Sequence, residues 1–351
     1  MRFRNEYPHP LLQLRPMRHV ADVSSLEARQ DLLAATKALQ QEKGSRQALD
    51  YLLRKLETEL SNQRNEEYFA EALNFHLGLL ASRAGRPEVM SEHLRLSHTM
   101  PAPELDLLFS DHVALSIVAR QHQQHAIARG LPAILFACMP RSGSATLTHS
   151  LAQLLDVPVF QLSLGRSPDR FLVPSWLDMF LEGGALTQDH FNLNDFNRGV
   201  LGNRGKRDIF VTIRDPRAAA RSNVYFEDHG APDPSLVEGE ILRQCLDRFI
   251  PWLQSWIDVA NDPASPFRVH MIRFGDVVRD LPESLRSILR ILQDGCPAIG
   301  PYAEAGHVDE VRIHFKRGDD EAWRSEVGEG TRARLWEGCT PEIRDLLRLR
   351  P

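Results

Sequence analysis

Residues 133–155 read AILFACMPRSGSATLTHSLAQLL, and the reading of this stretch decides the fold. The apolar run AILFAC predicts a buried strand. A short loop follows, Met139 to Ser144, and then Leu147, Leu151, Leu154 and Leu155 recur at helical spacing. Strand, glycine-containing loop and helix form a natural anion holder, because N–H groups at a helix start have no internal partner and converge on one point. Gly143 lets the backbone approach closely. Ser142, Ser144 and Thr146 offer hydroxyls, and Arg141 adds a permanent charge. The nucleotide-triphosphatase loop is different: it closes with Gly-Lys-Ser/Thr, and no Lys-Ser/Thr pair stands here to hold magnesium. Taken alone, the stretch also fits an ordinary strand-to-helix turn, so its neighbours must decide.

The chain has 351 residues, enough for one large domain and a smaller one. Its 42% apolar and 25% charged content is that of a soluble globular protein. A net charge of −5 gives no general pull toward nucleic acid or anionic membrane, so any anion site has to be locally basic. The four cysteines, Cys138, Cys245, Cys296 and Cys339, are far apart and show no metal-ligand spacing. They read as small apolar fillers in a reducing compartment, and no metal is expected. Met1 to Met17 carries arginines and prolines but no long apolar core, so no signal peptide is read. No apolar run reaches membrane-spanning length. The expectation is a cytoplasmic protein with no membrane span and no nucleic-acid partner.

Upstream of the central stretch, residues 1–128 are expected to be an all-helical region. Leu26, Leu32, Leu33 and Leu39 fall near one helical face. Residues 65–101, NEEYFAEALNFHLGLLASRAGRPEVMSEHLRLSHTMP, resemble one tetratricopeptide repeat: Gly78 for close approach, Ala81 and Ala84 between two helices, Gly85 for the turn, Pro101 to close. Such helices either cap the main domain, the favoured reading, or dock a protein partner or long substrate. Glu104 to Arg129 reads as a helix whose His112, His122 and His125 are solvated or core residues.

Downstream, residues 129–351 read as an α/β domain. VPVFQLSL (157–164) predicts a strand and 165–180 an irregular, substrate-facing stretch. A short strand over 184–191 leads to a helix starting near Asn192 or Asn194. DIFVTI (208–213) predicts a buried strand, followed by a helix with Pro216 in its first turn. One long amphipathic helix is expected over 236–261, then a strand in FRVHMIRFGD, a helix in LPESLRSILRIL, and a polar then helical tail. Strands alternating with helices imply a mainly parallel sheet covered on both faces.

Two further segments carry cations at fixed places. IRDPRAAARSNVYF (213–226) puts Arg214 at a strand end, where sheets of this class bind ligands, and Ser222 two helical turns on. The run from Arg198 to Arg221 also holds Arg204, Lys206, Arg207 and Arg217, the local positive charge that the net balance lacks. Within it, Arg217 and Arg221 are expected to be solvated surface. HFKRGDDEAWR (314–324) adds Lys316, Arg317 and Gly318, a turn with two cations that could grip a phosphate.

Together these residues resemble a family. PRSGSAT (140–146) resembles the 5′-phosphosulfate loop of sulfotransferases that use 3′-phosphoadenosine-5′-phosphosulfate (PAPS). IRDPRAAARSNVYF resembles their 3′-phosphate motif. FKRGDDEAWR resembles their C-terminal Arg-Lys-Gly…Asp-Trp-Arg/Lys segment with the two cations exchanged. RFGDVVRDLPESLRSIL (273–289) resembles their strand end and following helix. The resemblance covers about residues 130 to 340 and implies a P-loop-type α/β fold with PAPS as donor substrate and no metal.

Residue by residue, it implies Arg141 near the oxygen bridging sulfate and phosphate, where many relatives have lysine. Ser142, Gly143, Ser144, Ala145 and Thr146 would hold the 5′-phosphate. Arg214, Ser222, Lys316, Arg317 and Gly318 would hold the 3′-phosphate. Ala145 replaces a threonine and loses one hydroxyl; Thr146 replaces an aromatic, so adenine must stack elsewhere. The family's base usually lies between the first two motifs, which points to His190 in GALTQDHFNLND, with Glu182 and Asp189 as weaker candidates. His149 reads as packing or solvent-facing. The acceptor would be a hydroxyl or amine of unread class. Two other functions compete: a P-loop nucleotide kinase or hydrolase, opposed by the missing Lys-Ser/Thr, and a non-catalytic nucleotide-binding scaffold, opposed by five retained phosphate ligands.

Overall fold

In the computed structural model the described residues are Gly78, Ala81, 85–96, 119–166, 169–205, 207–227, 232–303 and 320–350. Lys206, Lys316, Arg317, Gly318 and most of the expected N-terminal helices lie outside them. All described residues fall within one compact unit, Asn62–Pro351.

The described strands are β1 (Ala133–Cys138), β2 (Val159–Phe160), β3 (Ser163–Arg166), β4 (Asp169–Leu172), β5 (Ala185–Thr187), β6 (Arg207–Ile213) and β7 (Phe267–Arg273). Five make one sheet in the order β2-β5-β1-β6-β7, every pair parallel. β3 and β4 form a separate antiparallel hairpin. Among the described residues the α-helices longer than one turn are α1 (Pro87–Leu96), α2 (119–128), α3 (Ser144–Leu155), α4 (Pro174–Phe180), α5 (Asp195–Gly202), α6 (Pro216–Glu227), α7 (Pro234–Gln244), α8 (Ile250–Asn261), α9 (Phe274–Arg279), α10 (Leu281–Gln293), α11 (Glu329–Gly338) and α12 (Pro341–Leu347).

β1 explains why its sequence is apolar without alternation. Ile134, Phe136 and Cys138 pack on one side with Leu147 and Leu151 of α3 and Leu285 and Ile288 of α10. Leu135 and Ala137 pack on the other with Ala219 of α6 and Trp256 of α8. A central parallel strand buried on both faces has no polar side to show. Because α3 leaves β1 toward one face and α6 leaves β6 toward the other, a crevice opens beyond the carboxyl ends of these adjacent strands. The result is a P-loop-type α/β fold: a mainly parallel sheet flanked by helices.

Three expected elements differ. The strand expected over 157–164 stops at Phe160, because the Asp189 carboxylate takes the N–H groups of Leu162 and Ser163, both at 2.7 Å, and draws the chain out of the sheet. The stretch expected to be irregular is the hairpin β3–β4 followed by α4. Asn197 braces it, accepting from Leu172 N and donating to Arg170 O, each at 2.8 Å. The long helix over 236–261 is interrupted by a π-helical turn, Cys245–Phe249. Pro251, at the start of α8, has no N–H to return to the preceding turn, which favours the wider spacing.

Other boundaries follow local chemistry. Asn194 caps α5, accepting from Asn197 N at 2.8 Å, and Asp280 caps α10, accepting from Glu283 N at 2.9 Å. In the N-terminal part a Cβ on Gly78 would lie 2.5 Å from Leu94 Cγ, and Gly85 turns with φ +69°. α1 packs on α4. Gln123 of α2 donates to the carbonyls of Met179 at 3.1 Å and Gly183 at 2.8 Å, so described helices of this part lie directly on the α/β layer. Among the described residues, no helix is long and apolar enough to cross a membrane.

Candidate active site

The loop between β1 and α3 is held in an unusual shape. Arg141 has φ +65° and Gly143 φ +73°. At 143 glycine is needed twice over: for that φ, and because a Cβ would come within 2.9 Å of the Phe274 ring. The Ser142 hydroxyl donates to Met139 O at 2.7 Å and lies 2.7 Å from Thr212 Oγ1, so it braces the loop against β6. Gly143 begins α3 without a side-chain cap. The N–H groups of Ser144, Ala145 and Thr146 find no acceptor among the described residues. Thr146 Oγ1 is buried there without a partner. Donors gathered at one helix start, with no acceptor among the described residues, are what an anion there satisfies.

Beside this cradle the second motif arrives. Arg141 Nε donates to Ser222 Oγ at 3.1 Å, and Arg214 Nη1 donates to Arg141 O at 3.0 Å. Arg141 therefore touches both Arg214 and Ser222, each distant from it in sequence. Arg141 lies over the Phe226 ring at 4.5 Å and Arg214 over Phe274 at 4.1 Å. Burial, and secondarily the Arg214 charge, lower the pKa of Arg141. Among the described residues Arg141 has no carboxylate partner. Arg214 has one: Asp320 Oδ1 accepts from Nε at 2.7 Å and from Nη2 at 2.6 Å. Burial pushes the Asp320 carboxyl up from its usual value and Arg214 pulls it down. Asp320 belongs to the third motif, so that segment's end reaches the site, while Lys316, Arg317 and Gly318 lie outside the described residues.

The expectation that Arg217 is solvated surface is wrong, and Arg221, its side chain 29% exposed, is ion-paired. Arg217 is 1% exposed, grips Asp215 through Nη2 at 2.9 Å and Nε at 3.0 Å, and lies 4.5 Å from the centre of the Trp323 ring. Arg221 meets Glu326 at 2.6 Å, and Arg204 meets Asp178 at 2.6 Å. These pairs, with that of Arg214 and Asp320, neutralise much of the basic run, while Arg141 beside it has no carboxylate partner among the described residues.

His190 stands at the root of the same loop. Asp189 bridges to Ala137 of β1, and Cys138 N donates to Asp189 O at 2.6 Å. His190 Nδ1 lies 2.7 Å from Cys138 O. A carbonyl only accepts, so Nδ1 carries the proton and Nε2 keeps a lone pair. Trp252 Nε1 donates to His190 O at 3.1 Å and Phe191 O at 2.9 Å, pinning the backbone. Burial lowers the His190 pKa below 6.5; Arg170 and Arg248 lower it further, against the Cys138 carbonyl and Asp189. Burial thus favours the neutral imidazole.

The rival bases are occupied. Asp189 is fully buried and accepts from Leu162 N, Ser163 N and His190 N, each at 2.7 Å, and from the Ser163 hydroxyl. Glu182 pairs with Arg120 at 2.5 Å. His149 is half-buried on α3, its pKa lowered by burial against a hydrogen bond with Gln188. The Cys138 thiol is buried and pushed up to about 12, a filler rather than a nucleophile. Among the described residues no group of three or more His, Cys, Asp or Glu side chains could hold a metal ion. Thr212, Phe274, Asp320, Arg170 and Arg248 also build the site. Thr212 and Phe274 could have been found as strand-end neighbours of Arg214, and Asp320 lies within the third motif; nothing local marks Arg170 or Arg248.

No protein-family model matches the chain, and no curated protein matches it. Among solved structures it is similar to mouse sulfotransferase SULT7A1 complexed with PAP, at 16% identity and a TM-score of 0.43, over 63% of this chain and 89% of that one. So loose a likeness says nothing of substrate or activity.

Proposed function

We propose that this protein is a sulfotransferase that moves a sulfuryl group from PAPS to a hydroxyl or amine of an acceptor. The carrying observation is the meeting of Arg141, Arg214 and Ser222 beside unpartnered donors at the start of α3. In this reading the N–H groups of Ser144, Ala145 and Thr146 and the Thr146 hydroxyl hold the 5′-phosphate. Arg214 and Ser222, with Lys316, Arg317 and Gly318 from the C-terminal motif, hold the 3′-phosphate. That phosphate would take the place of the Asp320 carboxylate on Arg214, one anion exchanged for another.

Sulfuryl transfer spreads charge over oxygens and is served by positioning and fixed cations. Arg141 has a charge to spend on the bridging oxygen as the sulfur–oxygen bond breaks. His190 Nε2 takes the acceptor's proton as its oxygen or nitrogen bonds to sulfur; adenosine 3′,5′-bisphosphate departs. Its fixed tautomer and neutral state suit that role. We further propose a helical part over 1–128 and a catalytic part over 129–351, with cytoplasmic residence and a protein-docking or capping role for the helices.

Calorimetry with adenosine 3′,5′-bisphosphate and, separately, ATP with magnesium is the first test, followed by transfer from labelled PAPS to an acceptor panel. Tighter binding of the bisphosphate is expected. Preference for ATP with magnesium would transfer the assignment to a kinase or hydrolase; binding without turnover of any acceptor would favour a scaffold.

A further inference from the structure

The returning C-terminal segment meets the donor end of the sheet at regular intervals. Arg214 directly follows β6, and Arg217 and Arg221 stand on α6, four residues apart. Their partners are Asp320, Trp323 and Glu326, every third residue of the returning chain. Trp323 and Glu326 belong to a 3₁₀ turn, Ala322–Glu326, where side chains three apart lie on one face. On an α-helix, side chains four apart share a face. One stripe therefore lies along the other, contact by contact.

The three contacts differ in what holds them. Arg217 and Trp323 are both buried, the guanidinium 4.5 Å from the ring centre and fixed by Asp215 through Nε at 3.0 Å and Nη2 at 2.9 Å. Arg221 donates twice to Glu326 Oε1, from Nε at 2.9 Å and Nη2 at 2.6 Å. Neither of these contacts uses a group assigned to the donor. The third does: Asp320 takes Nε and Nη2 of Arg214 at 2.7 and 2.6 Å, nitrogens a phosphate would claim. The Asp320 side chain is 42% exposed, open to exchange, while Arg214 is 7% exposed. A carboxylate tethered beside a cation competes at a high effective concentration, set by how firmly its tether is fixed.

We infer that Arg221 and Glu326 are positioning residues: with the Arg217–Trp323 contact they moor residues 320–326 so that Asp320 stays on Arg214 as a built-in competitor, which sets how much a 3′-phosphate gains on arrival. This rests on the sulfotransferase reading for the identity of the displacing anion. A nucleotide without that phosphate leaves the Arg214–Asp320 pair in place and does not feel the mooring.

The test is calorimetry of adenosine 3′,5′-bisphosphate and adenosine 5′-monophosphate with the full chain and with Arg221→Gln, Glu326→Gln and the charge exchange Arg221→Glu with Glu326→Arg. Each single variant should bind the bisphosphate about two- to fivefold more tightly, the scale of a half-exposed ion pair, and the monophosphate as wild type does. Their agreement is the signature. One loses a positive charge beside the site and the other a negative one, so simple electrostatics would shift them in opposite directions. The charge exchange should return affinity toward wild type. With Asp320→Asn already in place, neither variant should add a further gain. Both side chains are half-buried, and thermal melts check that each variant folds. Should Glu326→Gln lose its cooperative melt, Arg221→Gln decides alone, since it must tighten an anion while losing a cation. Opposite shifts, no shift, or an equal gain without the Asp320 carboxylate overturns the inference while leaving bisphosphate binding intact. Failure of the bisphosphate to bind wild-type protein defeats the donor reading, and this inference with it.

Discussion

The two sides of the β1 carboxyl end are built in opposite ways. The anion cradle of the proposed donor side is local: one strand, one loop and one helix start, whose N–H groups and Thr146 hydroxyl are left unpartnered among the described residues, with Arg214 and Ser222 brought up to it from further along the chain. The proposed acceptor side is assembled through a single buried carboxylate, Asp189, which ties together 162–163, His190 and Arg170. An anion-binding loop needs only backbone in the right shape. A base beside it needs long-range packing to fix its tautomer and lower its pKa.

Four changes would break or sharpen that contrast. His190→Ala should cut turnover about 10²- to 10⁴-fold, the usual range for a positioned base, with bisphosphate affinity unchanged in calorimetry; full turnover would remove it from the mechanism. In wild type, the acid limb of kcat/KM should lie below that of an ordinary histidine, because activity needs the neutral imidazole and burial lowers its pKa; a limb at or above the ordinary range would argue against His190 as the base. Arg214→Ala should weaken bisphosphate binding about 100-fold, as loss of a charge-assisted phosphate contact does; unchanged affinity would undo the donor site.

Asp189→Asn should lower stability by about 2–4 kcal/mol, since one oxygen of a fully buried, multiply bonded carboxylate becomes a donor. Denaturant melts would measure it, and a loss below about 0.5 kcal/mol, the scale of ordinary surface changes, would show that Asp189 does not organise the acceptor side. The smallest effect belongs to Asp320→Asn. With the competing carboxylate neutralised, bisphosphate should bind a few-fold more tightly; weaker binding would make Asp320 a partner of Arg214 in the loaded site.

The strands that run through the core were legible because burial on both faces leaves an unbroken apolar run, as in AILFAC and DIFVTI. Arg141, Arg214 and Ser222 were legible because each stands at a fixed offset from a strand end. The hairpin at 163–172 was not: its cause is a carboxylate 26 and 27 residues further along the chain. Arg217 was misread because its cover, Trp323, comes from the far end of the polypeptide.

Local sequence alone determined the alternation of strands and helices, the glycine turn and the choice of cations, since periodicity, φ preference and charge are properties of neighbouring residues. Only tertiary structure decided which arginines are neutralised, which nitrogen of His190 holds its proton, and where two further guanidinium groups stand. Those outcomes depend on desolvation and on partners brought in by the chain's return, and neither is written in any one stretch.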